Sequence, residues 1–148
     1  MCSVKITLIC IGKNNSKSFD SEINKYFKRI NSYINFSIIY SNNSKTLDEK
    51  VKSLKKKKYL IFLLDEKGIE YNSLKFSNFI EKKIYSGINN IIFIIGDHSG
   101  YSKFITNNFN NKISLSKMTF SHQMTRLFFC EQLYRAFTII KNHPYHNN

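Results

Sequence analysis

The chain has 148 residues, with 23 Lys and Arg against 10 Asp and Glu and a formal net charge of +13. Its 42% hydrophobic and 15% aromatic content can build the core of one domain, expected to occupy residues 1–148 as a whole. No apolar run approaches the ~18 residues of a membrane-spanning helix, so an integral helical membrane protein is excluded. The opening MCSVKITLICIG lacks the basic start and long apolar segment of a signal peptide and reads as a first strand. Cys2, Cys10 and Cys130 are scattered without metal-ligand spacing, as free thiols of a reducing, cytoplasmic compartment would be. The basic balance points to a nucleic-acid partner. Abundant Lys, Asn, Ile, Phe and Tyr, as an AT-rich genome encodes, is the competing source of that charge.

Residues 4–11 (VKITLICI) are apolar at nearly every position, as a strand covered on both faces requires. Gly12 and the polar residues 13–18 end it, and Phe19, Ile23, Tyr26, Phe27 and Ile30 then fall on one helical face. Residues 36–40 (FSIIY) form a second strand, and 41–45 a polar loop. Thr46 and Glu49 have capping-box spacing for the next helix, which ends in four lysines at 55–58. That run serves either as a solvated helix end or as a contact for RNA phosphates. Residues 59–65 (YLIFLLD) predict a third strand with a turn at 66–68, and 73–85 a helix stopped by Gly87. Residues 91–95 (IIFII) predict the fourth strand, 102–109 a short helix, and 112–116 the fifth strand. A loop at 117–121 precedes a last helix running to about Lys141, with Met124, Leu127, Phe128, Leu133, Tyr134, Phe137 and Ile140 as its apolar residues. Apolar strands alternating with helices predict an α/β domain, a mostly parallel sheet flanked by helices. Ligands of such sheets sit beyond the carboxyl ends of strands, which directs attention to the loops after Asp65, Ile95 and Ser116.

The loop at 96–100, GDHSG, is not a dinucleotide fingerprint, a P-loop or a nucleophile elbow. Its glycines suit close approach of backbone to a ligand. His143 and His146 supply two imidazoles with no further ligand at metal spacing, so no metal is expected. Glu131 and Arg135 stand at the spacing of an intrahelical ion pair, acid first. Arg135, Arg126 and the lysine run are also candidates for RNA contacts.

The IIG of 94–96, the stretch SLSKMTFSHQMTRLFFCEQLYRAF at 114–137 and the closing NHPYH at 142–146 together resemble the RlmH family. These are SPOUT-superfamily methyltransferases acting on N3 of a pseudouridine in 23S ribosomal RNA. The resemblance covers essentially the whole chain, and the terminal NHPYH after a YRA helix is its most specific part. It implies a SPOUT-type fold with a trefoil knot in the C-terminal half, about 90–148, and a homodimer with sites at the interface. It also implies S-adenosylmethionine as methyl donor, held at Leu64, Gly96, Leu115, Ser116, Lys117, Met118, Thr119 and Phe120. His146, Tyr145 and Arg135 become the candidate catalytic set, acting on 23S rRNA within assembled ribosomes. The chain departs from the family twice: GDHSG replaces the usual GGPEG, and Asn147 stands where an arginine is common.

His146 is a candidate base for the N3 proton, since an imidazole titrates near neutrality. In the alternative it only orients the target base and water takes the proton. A reading from a different class also stands: a basic, non-catalytic RNA-binding or ribosome-associated protein that kept the fold while its cofactor loop drifted.

Overall fold

The computed structural model describes residues 4–12, 17–55 and 59–147. In chain order the elements are β1 (Lys5–Ile11), α1 (Lys17–Asn31), β2 (Asn35–Ser41), α2 (Ser44–Lys55) and β3 (Tyr59–Glu70). They continue as α3 (Ser73–Ile84), β4 (Asn90–Ile95), α4 (Lys103–Asn108), β5 (Lys112–Ser114) and α5 (His122–Ile140). The five strands form one sheet in the order β2-β1-β4-β3-β5, and every pairing is parallel.

The unbroken apolar strands now have a physical account. Ile6, Leu8, Cys10, Phe62, Leu64, Ile91, Phe93 and Ile95 join a core built with Ile23 of α1, Phe76 of α3 and Phe129 of α5. The alternating Ile9, Ile11, Ile61, Leu63, Ile92 and Ile94 join a second core with Leu47 of α2 and Ile105 of α4. Side chains of a strand alternate between faces, so a sheet covered on both sides needs apolar residues at both parities. Helix α5 lies against α1 and α3, which makes it the most enclosed helix of its layer.

Several boundaries differ from the sequence expectation. No turn interrupts 66–68: β3 continues to Glu70, with an irregularity in its pairing to β5 between Leu64 and Ile69. Gly68 permits that course, because a Cβ there would lie 2.5 Å from the Lys112 carbonyl carbon. Strand β5 ends at Ser114, leaving 115 and 116 to the following loop. Helix α2 begins at Ser44, and Asn43 Oδ1 receives Thr46 N at 2.9 Å, so Thr46 lies inside the first turn and is not the cap. Helix α3 is capped by Tyr85, and Gly87 takes its left-handed conformation (φ 84°) just beyond. Of the apolar residues named for α5, Met124 and Phe128 are exposed. Cys2, most of the loop after β1 and the lysines at 56–58 lie outside the described residues. Among the described residues, no helix is long and apolar enough to cross a membrane.

Candidate active site

Two loops leave the carboxyl edge of the sheet, and a third element, the C-terminal tail, folds back beside one of them. The tail owes its course to the end of α5. Asn142 adopts φ 58°, a left-handed conformation asparagine tolerates, and its N–H meets Ile139 O at 3.1 Å. His143 N meets Thr138 O at 2.8 Å, completing a Schellman motif before Pro144 prevents further helix. The chain reverses onto the last turns of α5.

There Tyr145 packs edge-on to Tyr134, ring centroids 4.8 Å apart, and the Arg135 guanidinium lies 4.9 Å from the Tyr145 ring centre. Glu131 Oε1 receives Arg135 Nη2 at 2.6 Å, Arg135 Nε at 3.1 Å and the Tyr145 hydroxyl at 3.1 Å. Arg135 Nη1 lies 2.9 Å from His146 Nδ1. The predicted catalytic set is thus brought together, with Glu131 as its hub. The hydrogen bonds and charge of Glu131 hold the Arg135 pKa above its usual value. Burial first, then hydrogen bonds with Tyr26 and Glu131, push Tyr145 upward as well, so its phenol stays protonated.

Glu131 also faces a cleft of about 400 Å3. One wall is Tyr71, Asn72, Ser73 and Phe76, from the end of β3 and the start of α3. The other is the segment 113–116 with Phe120, Phe128, Glu131 and Gln132. Phe120 and Phe128 meet edge-on at 5.1 Å. Gln132 ties cleft to tail: it accepts from Ser73 Oγ at 2.8 Å and donates to Glu131 Oε2 at 2.9 Å.

Three of the predicted cofactor residues, Leu115, Ser116 and Phe120, therefore share this cleft with Glu131. The loop between them is tied down at its ends: Ser114 Oγ donates to Ser116 O at 2.8 Å, and Ser116 Oγ accepts from Met118 N at 3.0 Å. Lys117, Met118 and Thr119 point elsewhere. Lys117 pairs with Glu70 at 3.7 Å while largely exposed, Thr119 donates to Glu66, and the Met118 side chain is 74% exposed. Leu64 and Gly96 meet around a residue the sequence reading passed over, Tyr101. Its hydroxyl lies 2.7 Å from Leu64 O and 2.8 Å from Ile94 O, joining the ends of β3 and β4. A Cβ at Gly96 would come within 3.1 Å of the Tyr101 ring, so glycine is what lets the loop pass.

The GDHSG loop closes on itself. Asp97 Oδ1 accepts from Ser99 N at 2.9 Å and from the Ser99 hydroxyl, and Gly100 N reaches Asp97 O at 2.9 Å. The Ser99 hydroxyl is the main reason the Asp97 pKa is lowered, with smaller contributions from His98 and His122. His98 stands 6.3 Å, ring to ring, from His122 at the start of α5.

Arg126 does not face RNA. It is 1% exposed, inside the fold, with Nη2 donating to Ile11 O at 2.9 Å. The sequence offered it as a candidate for RNA contacts; nine-residue spacing along one helix puts it on the face opposite Arg135, and that face lies on the sheet. Among the described residues, no group of three or more His, Cys, Asp or Glu could hold a metal ion.

Missed in the sequence were Tyr71, Ser73, Phe76, Phe128, Gln132 and Tyr101, which only the fold brings to these places. The tail's reversal had a local signal, because asparagine just past a helix followed by proline is a stop.

The family model described as predicted SPOUT methyltransferase matches residues 4–146. A protein of Christiangramia forsetii named ribosomal RNA large subunit methyltransferase H is 44% identical, over 96% of this chain and 98% of its own length. A protein of the same name from Parabacteroides distasonis is 43% identical, over 97% of this chain and 99% of its own. Among solved structures, a probable methylase family protein from Haemophilus influenzae Rd KW20 has the same fold, with TM-score 0.53 and 12% identity over 99% of this chain and 71% of that one. With its parallel five-stranded sheet, aromatic cleft and NHPYH tail, the chain belongs to the SPOUT methyltransferase family, in its RlmH group.

Proposed function

We propose that this protein transfers a methyl group from S-adenosylmethionine to N3 of a pseudouridine in 23S ribosomal RNA, on assembled ribosomes in the cytoplasm. The observation that carries the reading is the tail cluster of Glu131, Arg135, Tyr145 and His146 at the border of an aromatic cleft. The names of the curated relatives agree with an RNA substrate of the large subunit.

The cleft suits the cofactor. Its volume falls within the usual range for small-molecule sites, roughly 300–1,000 Å3. Phe120, Phe128 and Leu115 offer apolar faces to an adenine, backbone groups at 114–116 can read its edge, and the Glu131 carboxylate suits a cationic ligand. When bound, S-adenosylmethionine supplies a methyl group activated by a sulfonium. The remaining tasks belong to the chain. Tyr145 and Arg135 present a flat, partly exposed surface on which a base can stack, and His146 stands beside it to contact the base edge. Held alignment of donor and acceptor contributes about 7–11 kcal/mol in favourable cases.

The same reading treats residues 1–148 as one SPOUT unit with a trefoil knot over about 90–148. It also takes the protein as a homodimer with each site completed at the interface. Phe128, an exposed apolar side chain in the cleft wall, supports a partner there, as do the exposed Met118 in the preceding loop and Met124 in the first turn of α5.

The test is methyl transfer from labelled S-adenosylmethionine to ribosomes lacking the modification, followed by digestion and identification of the labelled nucleoside. Label in N3-methylpseudouridine of 23S rRNA is expected. Ribosome binding without transfer would establish the non-catalytic reading in its place.

A further inference from the structure

The contact between Arg135 Nη1 and His146 Nδ1, at 2.9 Å, fixes more than a position. A guanidinium carries donors only, so Nδ1 is the acceptor and its lone pair is engaged. In a neutral imidazole the hydrogen then resides on Nε2. Arg135 is not free to release the ring. Its Nε and Nη2 are held by Glu131 at 3.1 and 2.6 Å, and Glu131 is itself held by Tyr145 at 3.1 Å and Gln132 at 2.9 Å. Among the described residues, Arg135 is the only hydrogen-bond partner of the imidazole.

We infer that His146 is kept as its Nε2–H tautomer and serves methyl transfer as a hydrogen-bond donor to a ring carbonyl of the target base, not as the base that takes the proton. The inference rests on the methylation proposed above. In a uracil-type ring, N3–H lies between two carbonyl groups, and loss of its proton spreads negative charge onto their oxygens. A fixed donor at one of those oxygens stabilises that charge where it develops. In the balanced step, N3 gives its proton to water and its lone pair forms the new N–C bond. The methyl C–S bond breaks, leaving a neutral thioether. In this tautomer Nε2 has no lone pair to accept a proton, and Nδ1 can accept one only by leaving Arg135.

Two measurements test this on the intact protein. Long-range 15N–1H NMR spectra of histidine-labelled protein in mildly alkaline solution, assigned by loss of signals in His146→Gln, report the tautomer directly. A pyridine-type Nδ1 and a pyrrole-type Nε2 are expected; the reverse assignment would overturn the inference. In kinetics, His146→Gln places an amide N–H near the position of Nε2, whereas His146→Asn places one near Nδ1 and His146→Phe places none. His146→Gln should keep turnover within about tenfold, while His146→Asn and His146→Phe lose about 100-fold, the usual effect of removing one such donor. KM for S-adenosylmethionine should not change in any of them. Equal losses in all three would overturn the donor role. Wild-type protein that transfers no methyl group to ribosomes would instead remove the methylation reading and the donor role with it, and the NMR spectra would still decide the tautomer.

Discussion

Helix α5 carries two arginines with opposite fates. Arg135, near its C-terminal end, is partly exposed and fully engaged: a carboxylate, a phenol ring and an imidazole surround it. Arg126, in its second turn, is buried and bonded through Nη2 to Ile11 O, and among the described residues its Nε and Nη1 have no hydrogen-bond partner. It lies 5.3 Å from the Tyr40 ring centre, a cation–π contact. The charge of Arg126 acts on Cys10 beside it, yet desolvation prevails and the thiol is pushed up to about 12. The lesson is that sequence position on a helix names a residue's neighbours along the chain, whereas the layer it faces decides what its charge does. Arg135 gathers the tail onto α5 through Glu131 and His146, and Arg126 fastens α5 to the carboxyl end of β1.

The largest expected effect separates the two by activity. Arg135→Ala, and Glu131→Gln, should each lower turnover by about 100-fold, the scale of a small misplacement of reacting groups. Stability should change by less than about 1 kcal/mol, because the Glu131–Arg135 pair is partly solvated. Methyl-transfer assays beside thermal melts measure both. A variant that melts early and loses activity in proportion would mean that the pair holds the fold, and the contrast with Arg126 would vanish.

The second prediction concerns stability. Arg126→Ala removes the Ile11 bond and leaves a cavity, a loss of about 2–4 kcal/mol in urea unfolding. Arg126→Met fills most of the space and removes two unpaired donors, so it should stay within about 1.5 kcal/mol of the parent. A methionine variant as unstable as the alanine variant would show that the guanidinium is bonded as thoroughly as that of Arg135.

This contrast also marks what could be read from the chain alone. Strands such as IIFII at 91–95 declare themselves, because a parallel sheet covered on both faces demands apolar residues at every position. The tail residues Tyr145 and His146 and their partner Arg135 were legible through family resemblance, and Glu131 through its spacing. The burial of Arg126 was not legible: an arginine looks alike on either face of a helix, and only the packing of α5 over β1 turns it inward. Nor was Ser73, which reaches Gln132 from a different helix, or the extension of β3 through Gly68, where a turn signal yields to pairing with β5. Long-range partners are set by topology, and periodicity carries no information about them.

The smallest expected effect lies at the start of α5, where the GDHSG loop stands near His122. The folded pKa of Asp97 is lowered, chiefly by the Ser99 hydroxyl. Its carboxylate therefore contributes stability that is fully present above the unfolded value, about 3.9, and is lost as pH falls through the folded value. Asp97→Asn keeps an oxygen that can accept from Ser99 N and removes only the charge. At neutral pH it should cost less than about 0.5 kcal/mol. Unfolding measured from about pH 6 down to about pH 3 should show the two proteins converging as the wild-type carboxylate protonates. S-adenosylmethionine affinity, followed calorimetrically, should be unchanged, because the turn, and not the charge, sets the course of the backbone. A large loss of affinity in Asp97→Asn would mean that the charge itself acts on the ligand, and the N-terminal end of α5 would then share the role proposed for its other end through Arg135.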